Sequence, residues 1–247
     1  MKEVKGKKAV LFDMDGVLFD SMPAHAKCWV AACRKFGLRA TERDTYMNEG
    51  RTGASTIDLF TRQQWGRAVR PEEVEAIYAE TCRLFNRWPE APKMPGAEAV
   101  LRKVQAAGLT IAVVTGSGQA SLLERLEKHY SGFFRPGLIV SSRDCERGKP
   151  FPDPYLLGLR RAGVSAEEAV VVENAPLGVE AAKAAGIFTV AVNTGPLPDR
   201  ALLDAGADRL YPSMQAFADG WEALFAGLIS SDEYGEPAFD FDLRLSR

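Results

Sequence analysis

The chain has 247 residues, 46% of them hydrophobic and 26% charged. That balance suits a folded protein with a sizeable core and excludes a disordered one. Lysine plus arginine is 31 against 33 aspartate plus glutamate, so no cationic excess exists to release counterions from nucleic acid. The only histidines are His25 and His129, so a poly-histidine metal centre is out and the chemistry is expected to run on carboxylates and lysines. The basic start, Met1 to Lys8, is followed by a short apolar run that Asp13 ends, which is not a signal peptide, and no stretch is long enough to span a membrane. Cys28, Cys33, Cys82 and Cys145 have no CxxC spacing and are expected to be packing residues of a reduced, cytoplasmic protein.

In chain order, the first strand is Ala9 to Phe12. From Pro23 to Lys93 no strand-like run occurs, only helical patterns. Trp29, Ala32, Cys33 and Phe36 form one apolar stripe. Val74, Ile77, Tyr78 and Phe85 form another, with Glu72 and Glu73 placed at the positive end of their helix. These stripes predict an all-helical domain, 23–94, inserted after the first strand, with Pro23 and Pro95-Gly96 at its edges. Ala97, Val100, Leu101 and Val104 then predict a helix closed by Gly108. Strands follow at Thr110 to Val114, Leu138 to Val140, Ala169 to Val172 and Ile187 to Val192, with a helix from Pro176 to Gly186 before the last. Continuous apolar runs predict strands buried on both faces of a parallel sheet. The fold class is therefore α/β: a doubly wound, Rossmann-like core from 1–22 and 95–230 carrying a helical insert. The tail, 231–247, is polar and unassigned.

Open α/β sheets bind ligands at the carboxyl ends of their strands. After the first strand come Asp13-Met14-Asp15-Gly16, after the second Thr115-Gly116-Ser117-Gly118, later Gly148-Lys149-Pro150, and after the fourth Glu173-Asn174. Carboxylates and an amide oxygen suit a hard divalent cation such as Mg2+. Hydroxyl, backbone N–H and ammonium donors suit a phosphoryl group. A dinucleotide loop at Thr115 is disfavoured, because Ser121 stands where the last glycine of G-x-G-x-x-G belongs.

The segment Asp13-Met14-Asp15-Gly16-Val17-Leu18-Phe19-Asp20-Ser21 resembles the first motif of the haloacid dehalogenase superfamily. Thr115, Lys149 and Glu173-Asn174 fall where its second, third and fourth motifs belong, and the insert resembles its helical C1 cap. The nearest branch is that of β-phosphoglucomutases and related phosphatases. Tyr46 to Thr56 and Glu173 to Gly178 are similar to a bacterial inorganic pyrophosphatase of this superfamily. The resemblance implies that Asp13 is the nucleophile and Asp15 the general acid and base. It implies Mg2+ held by Asp13, the Asp15 carbonyl and Asn174, with Glu173 close by. Thr115 and Ser117 would bind phosphoryl oxygens, and Lys149 would neutralise charge. It places His25 either as a packed cap residue or as an assistant to Asp15; His129 is read as a surface residue.

Asn174 replaces the second acid usual in this branch, which removes one negative charge from the metal. Glu49, on the cap loop Asn48-Glu49-Gly50, is the candidate helper: reaching down, it would also shorten the cavity so that only a small substrate fits. The expected activity is hydrolysis of a small phosphorylated substrate, pyrophosphate foremost, by a monomer that binds neither nucleic acid nor membrane. The alternative is a sugar-phosphate mutase. Gly53, Glu49 and Gly118 stand where a mutase has cations, although Arg51, Arg83 or Arg87 can substitute. A phosphoacceptor module without catalysis is disfavoured, because it needs neither a cap nor Asp15.

Overall fold

The computed structural model describes residues 6–118 and 122–225. Strand β1 (Ala9–Phe12) is wholly buried, as its continuous apolar run requires. The chain then leaves the sheet for four helices, α1 (Met22–Lys35), α2 (Glu42–Met47), α3 (Gly53–Trp65) and α4 (Pro71–Phe85). It returns through α5 (Ala97–Ala106), β2 (Thr110–Val114), α6 (Leu122–His129), β3 (Ile139–Val140), α7 (Asp153–Ala162), β4 (Ala169–Glu173) and α8 (Pro176–Ala184). Then come β5 (Phe188–Val192), α9 (Asp199–Asp204), β6 (Arg209–Tyr211) and α10 (Met214–Phe225). All strand pairs are parallel, in the order β3-β2-β1-β4-β5-β6. The order reverses at β1, which puts the end of β1 at the switch point where such sheets bind ligands.

Two differences from the sequence reading are local. Leu138 closes a short 3-10 turn, leaving β3 only two residues. Strand β6 is missing from the sequence reading because Arg209-Leu210-Tyr211 shows no apolar run; it is held by pairing with β5, Val190 beside Arg209. Above and below the sheet, side chains alternate between two cores, with Val10 and Phe12 in one and Ala9 and Leu11 in the other.

The helical insert has its own core of Cys33, Leu38, Ile57, Phe60 and Ile77, with Trp29, Phe36 and Val74 against it. Here the second stripe departs from expectation: Tyr78 is 36% exposed, and Tyr78 and Phe85 line a cavity facing the sheet. Met22, Ala26 and Tyr46 pack with Leu197 and so join insert to core. Helix α6 grips both connections between them. The Arg125 guanidinium lies 4.0 Å over the Phe19 ring, and His129 and Tyr130 meet the same ring edge-on at 5.4 Å. Glu90, on the return connection, is paired with Lys128 and with His129 at 2.9 Å. His129 is thus a half-buried connector rather than a surface residue. All four cysteines are free. Among the described residues no helix is long and apolar enough to cross a membrane. The tail 231–247 lies outside the described residues.

Candidate active site

Asp13 follows β1 directly, and its backbone N–H still donates to Val172 in the next strand at 3.0 Å. Its carboxylate is therefore fixed at the sheet edge. The Lys149 ammonium, whose side chain is 1% exposed, donates to Asp13 Oδ1 at 2.5 Å, to the Val114 carbonyl at 3.1 Å and to Glu173 Oε1 at 2.5 Å. All three of its protons are used, which is what a buried ammonium requires.

Glu173 is the last residue of β4. Both its oxygens are engaged: Oε1 also accepts from the Tyr155 hydroxyl at 2.7 Å, and Oε2 accepts the backbone N–H groups of Asn174 and Ala175 at 3.0 and 3.2 Å. It orients Lys149 more directly than it faces a cation. Tyr155 went unnoticed in the sequence; Pro152 to Leu159 carry a helical pattern, but nothing local marks one hydroxyl as a partner of a strand-end acid.

Asp15 accepts from the Ser21 hydroxyl at 2.5 Å and lies 3.4 Å from His25 Nε2. Burial alone would raise its pKa; His25 and the Ser21 hydrogen bond outweigh burial and hold it at about 2. The His25 ring stacks on Phe85 at 4.1 Å, so it packs within the cap and lies beside Asp15 at once. Thr115 is buried, with Oγ1 accepting the Ser117 N–H at 3.0 Å; both residues line the cavity.

Glu49 descends from the insert to this floor. The Asn174 amide donates to Glu49 Oε1 and Oε2 at 3.2 and 3.1 Å. Asn174 in turn sits against Gly16, where a Cβ would fall 2.0 Å from Nδ2 and φ is +83°. Only glycine allows that approach.

The carboxylates of Asp13, Asp15, Glu49 and Glu173 act on one another here, and Lys149 pairs with two of them, Asp13 and Glu173. Burial raises the Asp13 pKa, Lys149 lowers it, and Glu173 and Asp15 raise it again, with a net rise to about 8. Burial, then Asp13 and Glu173, push Glu49 well above its ordinary value against the Asn174 hydrogen bond. Lys149 is disfavoured by burial, but Asp13 and Glu173 more than offset this and raise its pKa. The directions agree on a surplus of negative charge. Like charges about 4 Å apart at an effective dielectric near 20 repel by about 4 kcal/mol.

A cation relieves that surplus. Asn174 Oδ1 is buried and without a hydrogen-bond partner among the described residues, an unusual state for a polar atom. With the Asp13 and Glu49 carboxylates it forms the hard oxygen set that Mg2+ prefers. Among the described residues no three His, Cys, Asp or Glu side chains gather as a metal cluster, so a cation here would draw on amide and backbone oxygens too.

A strand-end carboxylate, a neighbouring acid, a hydroxyl and an ammonium at the switch point, covered by a helical insert, fit a capped α/β hydrolase. The family model of haloacid dehalogenase-like hydrolases matches residues 7–186, and the chain belongs to that family, in its C1-capped phosphatase branch. It is 33% identical over 198 residues to hexitol phosphatase A of Escherichia coli, covering 75% of this chain and 83% of the other. It is 31% identical over 206 residues to the phosphorylated carbohydrates phosphatase of Thermotoga maritima, covering 81% and 92%. A solved structure from Bacteroides vulgatus, named "Putative beta-phosphoglucomutase", is 50% identical, covers 93% of each chain and superposes with a TM-score of 0.88.

Proposed function

We propose that the chain hydrolyses a small phosphorylated substrate, inorganic pyrophosphate foremost or a small phosphomonoester, in a Mg2+-dependent reaction. The observation that carries this reading is Glu49, held 3.1 Å from Asn174 at the floor of a cavity of about 110 Å³. Ligand sites ordinarily measure roughly 300–1,000 Å³, so the site as it stands suits little more than the transferring group and a short leaving group. Arg51 lines the same cavity and is the cation available there to a second anionic group.

Asp13 attacks phosphorus and the bond to the leaving oxygen breaks, giving an aspartyl-phosphate. Asp15, which Ser21 and His25 keep ionised at rest, must first take up a proton from solvent; it then passes this proton to the leaving oxygen and takes one back from the water that displaces Asp13. Lys149 stays charged throughout and offsets the charge on the phosphoryl oxygens. Thr115 and Ser117 orient those oxygens. Asp13, the Asp15 carbonyl, Asn174 Oδ1 and Glu49 would hold Mg2+, which when bound supplies further charge neutralisation.

The second reading is a sugar-phosphate mutase, favoured by the name of the 50% identical structure. Against it, a carboxylate occupies the cavity where a distal phosphate would lie, and such a charge repels one. Phosphate release with Mg2+ on pyrophosphate, β-glucose 1-phosphate and a panel of phosphomonoesters separates the readings. The first expects pyrophosphate to lead, with Glu49→Gln weakening Mg2+ affinity and broadening the substrate range. Glucose 6-phosphate formed with little free phosphate would replace it by the second.

A further inference from the structure

The cap loop that carries Glu49 meets the core where side chains are missing. A Cβ on Gly116 would lie 2.9 Å from the Gly50 carbonyl oxygen. A Cβ on Gly148 would lie 2.9 Å from Thr52 Cγ2 and 3.4 Å from the Thr52 nitrogen. A Cβ on Gly50 would lie 2.8 Å from Lys149 Cδ. All three positions leave less room than a real Cβ accepts. The crevice left between the loop and the core, bounded by Thr52, Ser141, Cys145 and Gly148, is about 10 Å³, at most the space of one water. The loop therefore rests backbone upon backbone, as low as the chain allows.

Glu49 is bonded directly to Gly50, so the height of this seat sets the distance from Glu49 to Asn174. We infer that Gly148 and Gly116, the glycines beneath the loop, are positioning residues: they set how deep Glu49 reaches and thereby which leaving groups fit. This rests on the reading of Glu49 as the group that limits the cavity. The hydrogen bonds from Asn174, at 3.1 and 3.2 Å, weaken steeply with a rise of even half an ångström.

Thr52 offers a clean test, because its two side-chain branches do different things. Its hydroxyl caps α3 by accepting the Ser55 N–H at 3.2 Å. Its methyl faces Gly148. Thr52→Ser keeps the cap and removes the methyl, opening the space that Gly148→Ala would need. Wild type, Gly148→Ala, Thr52→Ser and the double variant are compared by kcat and KM on pyrophosphate, acetyl phosphate and p-nitrophenyl phosphate. Hydrogen–deuterium exchange of the loop 48–52 is followed beside them.

Gly148→Ala should lower kcat/KM on the two small substrates by about tenfold to a hundredfold. It should lower the bulky ester less and speed exchange of the loop. Thr52→Ser alone should resemble wild type, and the double variant should regain most of both losses. Unchanged discrimination and exchange in Gly148→Ala, or no recovery in the double variant, would overturn the inference. If wild type fails on pyrophosphate, the pyrophosphate reading falls alone, since acetyl phosphate and the exchange measurement still read the seat.

Discussion

The two walls of the active site are built on opposite principles. On the core side, charged groups are buried and fully partnered: Lys149 meets Asp13, Glu173 and the Val114 carbonyl, and Glu173 receives four donors. On the cap side the wall is aromatic, with Trp29, Tyr78 and Phe85, and Arg51 is held within the cap itself by Asn48 and Ser55. Glu49 carries cap charge to the core floor through the Asn174 amide. A core wall of this kind cannot change without losing the reaction or the fold, because removing one partner leaves another buried and unpaired. The cap wall can change by a residue and alter only what is admitted. Under the proposed function, chemistry falls to one side and selection to the other.

That division can be broken experimentally, beginning with the largest effect. Asp13→Asn should cut phosphate release by about five orders of magnitude, as removal of a nucleophile does, with little change in KM. Lys149→Met should abolish turnover and also destabilise the fold by roughly 3–5 kcal/mol, since it strands two buried carboxylates; urea denaturation reads this. Pairing it with Glu173→Gln should return part of the stability and none of the activity. Tyr155→Phe removes one donor to Glu173 and should cost about 1–3 kcal/mol in the same assay, with a smaller fall in kcat.

Phe85→Ala tests the other wall. It removes the stacked partner of His25 and should change kcat/KM by about five- to tenfold, the scale of one aromatic contact, chiefly through KM. A kcat loss as deep as that of Lys149→Met would erase the distinction between the walls. The smallest effect belongs to the connection. Hydrogen bonds from Lys128 and then His129 hold the Glu90 carboxyl at about 2, below an unfolded value of about 4.3. A depressed pKa contributes stability that is present above the unfolded value and is lost as pH falls toward 2. Glu90→Gln should therefore lower Tm slightly at neutral pH, leave it nearly unchanged near pH 2, and so flatten the fall between them.

The sequence was most informative where chemistry clusters at strand ends. The Asp13-to-Ser21 segment, Thr115, Lys149 and Asn174 were legible because strand-end residues share one edge of a parallel sheet wherever they fall in the chain. Glu49 was legible as an oddity, an acid where a cation was expected. Tyr78 and Phe85 were misread because a helical stripe says which residues share a face, not whether that face meets a core or a cavity. Tyr155, His129 and β6 were missed for one physical reason: each is defined by a tertiary partner, Glu173, Glu90 or β5, and leaves no local period.

The placement of β1 has a consequence for how the enzyme comes into being. Its neighbours in the sheet, Thr110 beside Ala9 on one flank and Ala169 beside it on the other, both lie beyond the whole helical insert in the chain. The insert closes a local core of its own, while β1 waits for the two most distant pairings in the molecule, the slow kind. Asp13 is carried on the end of that strand. A chain that has collapsed without seating β1 holds its helices but does not have Asp13 in place, so the appearance of turnover during refolding should mark the completion of the sheet.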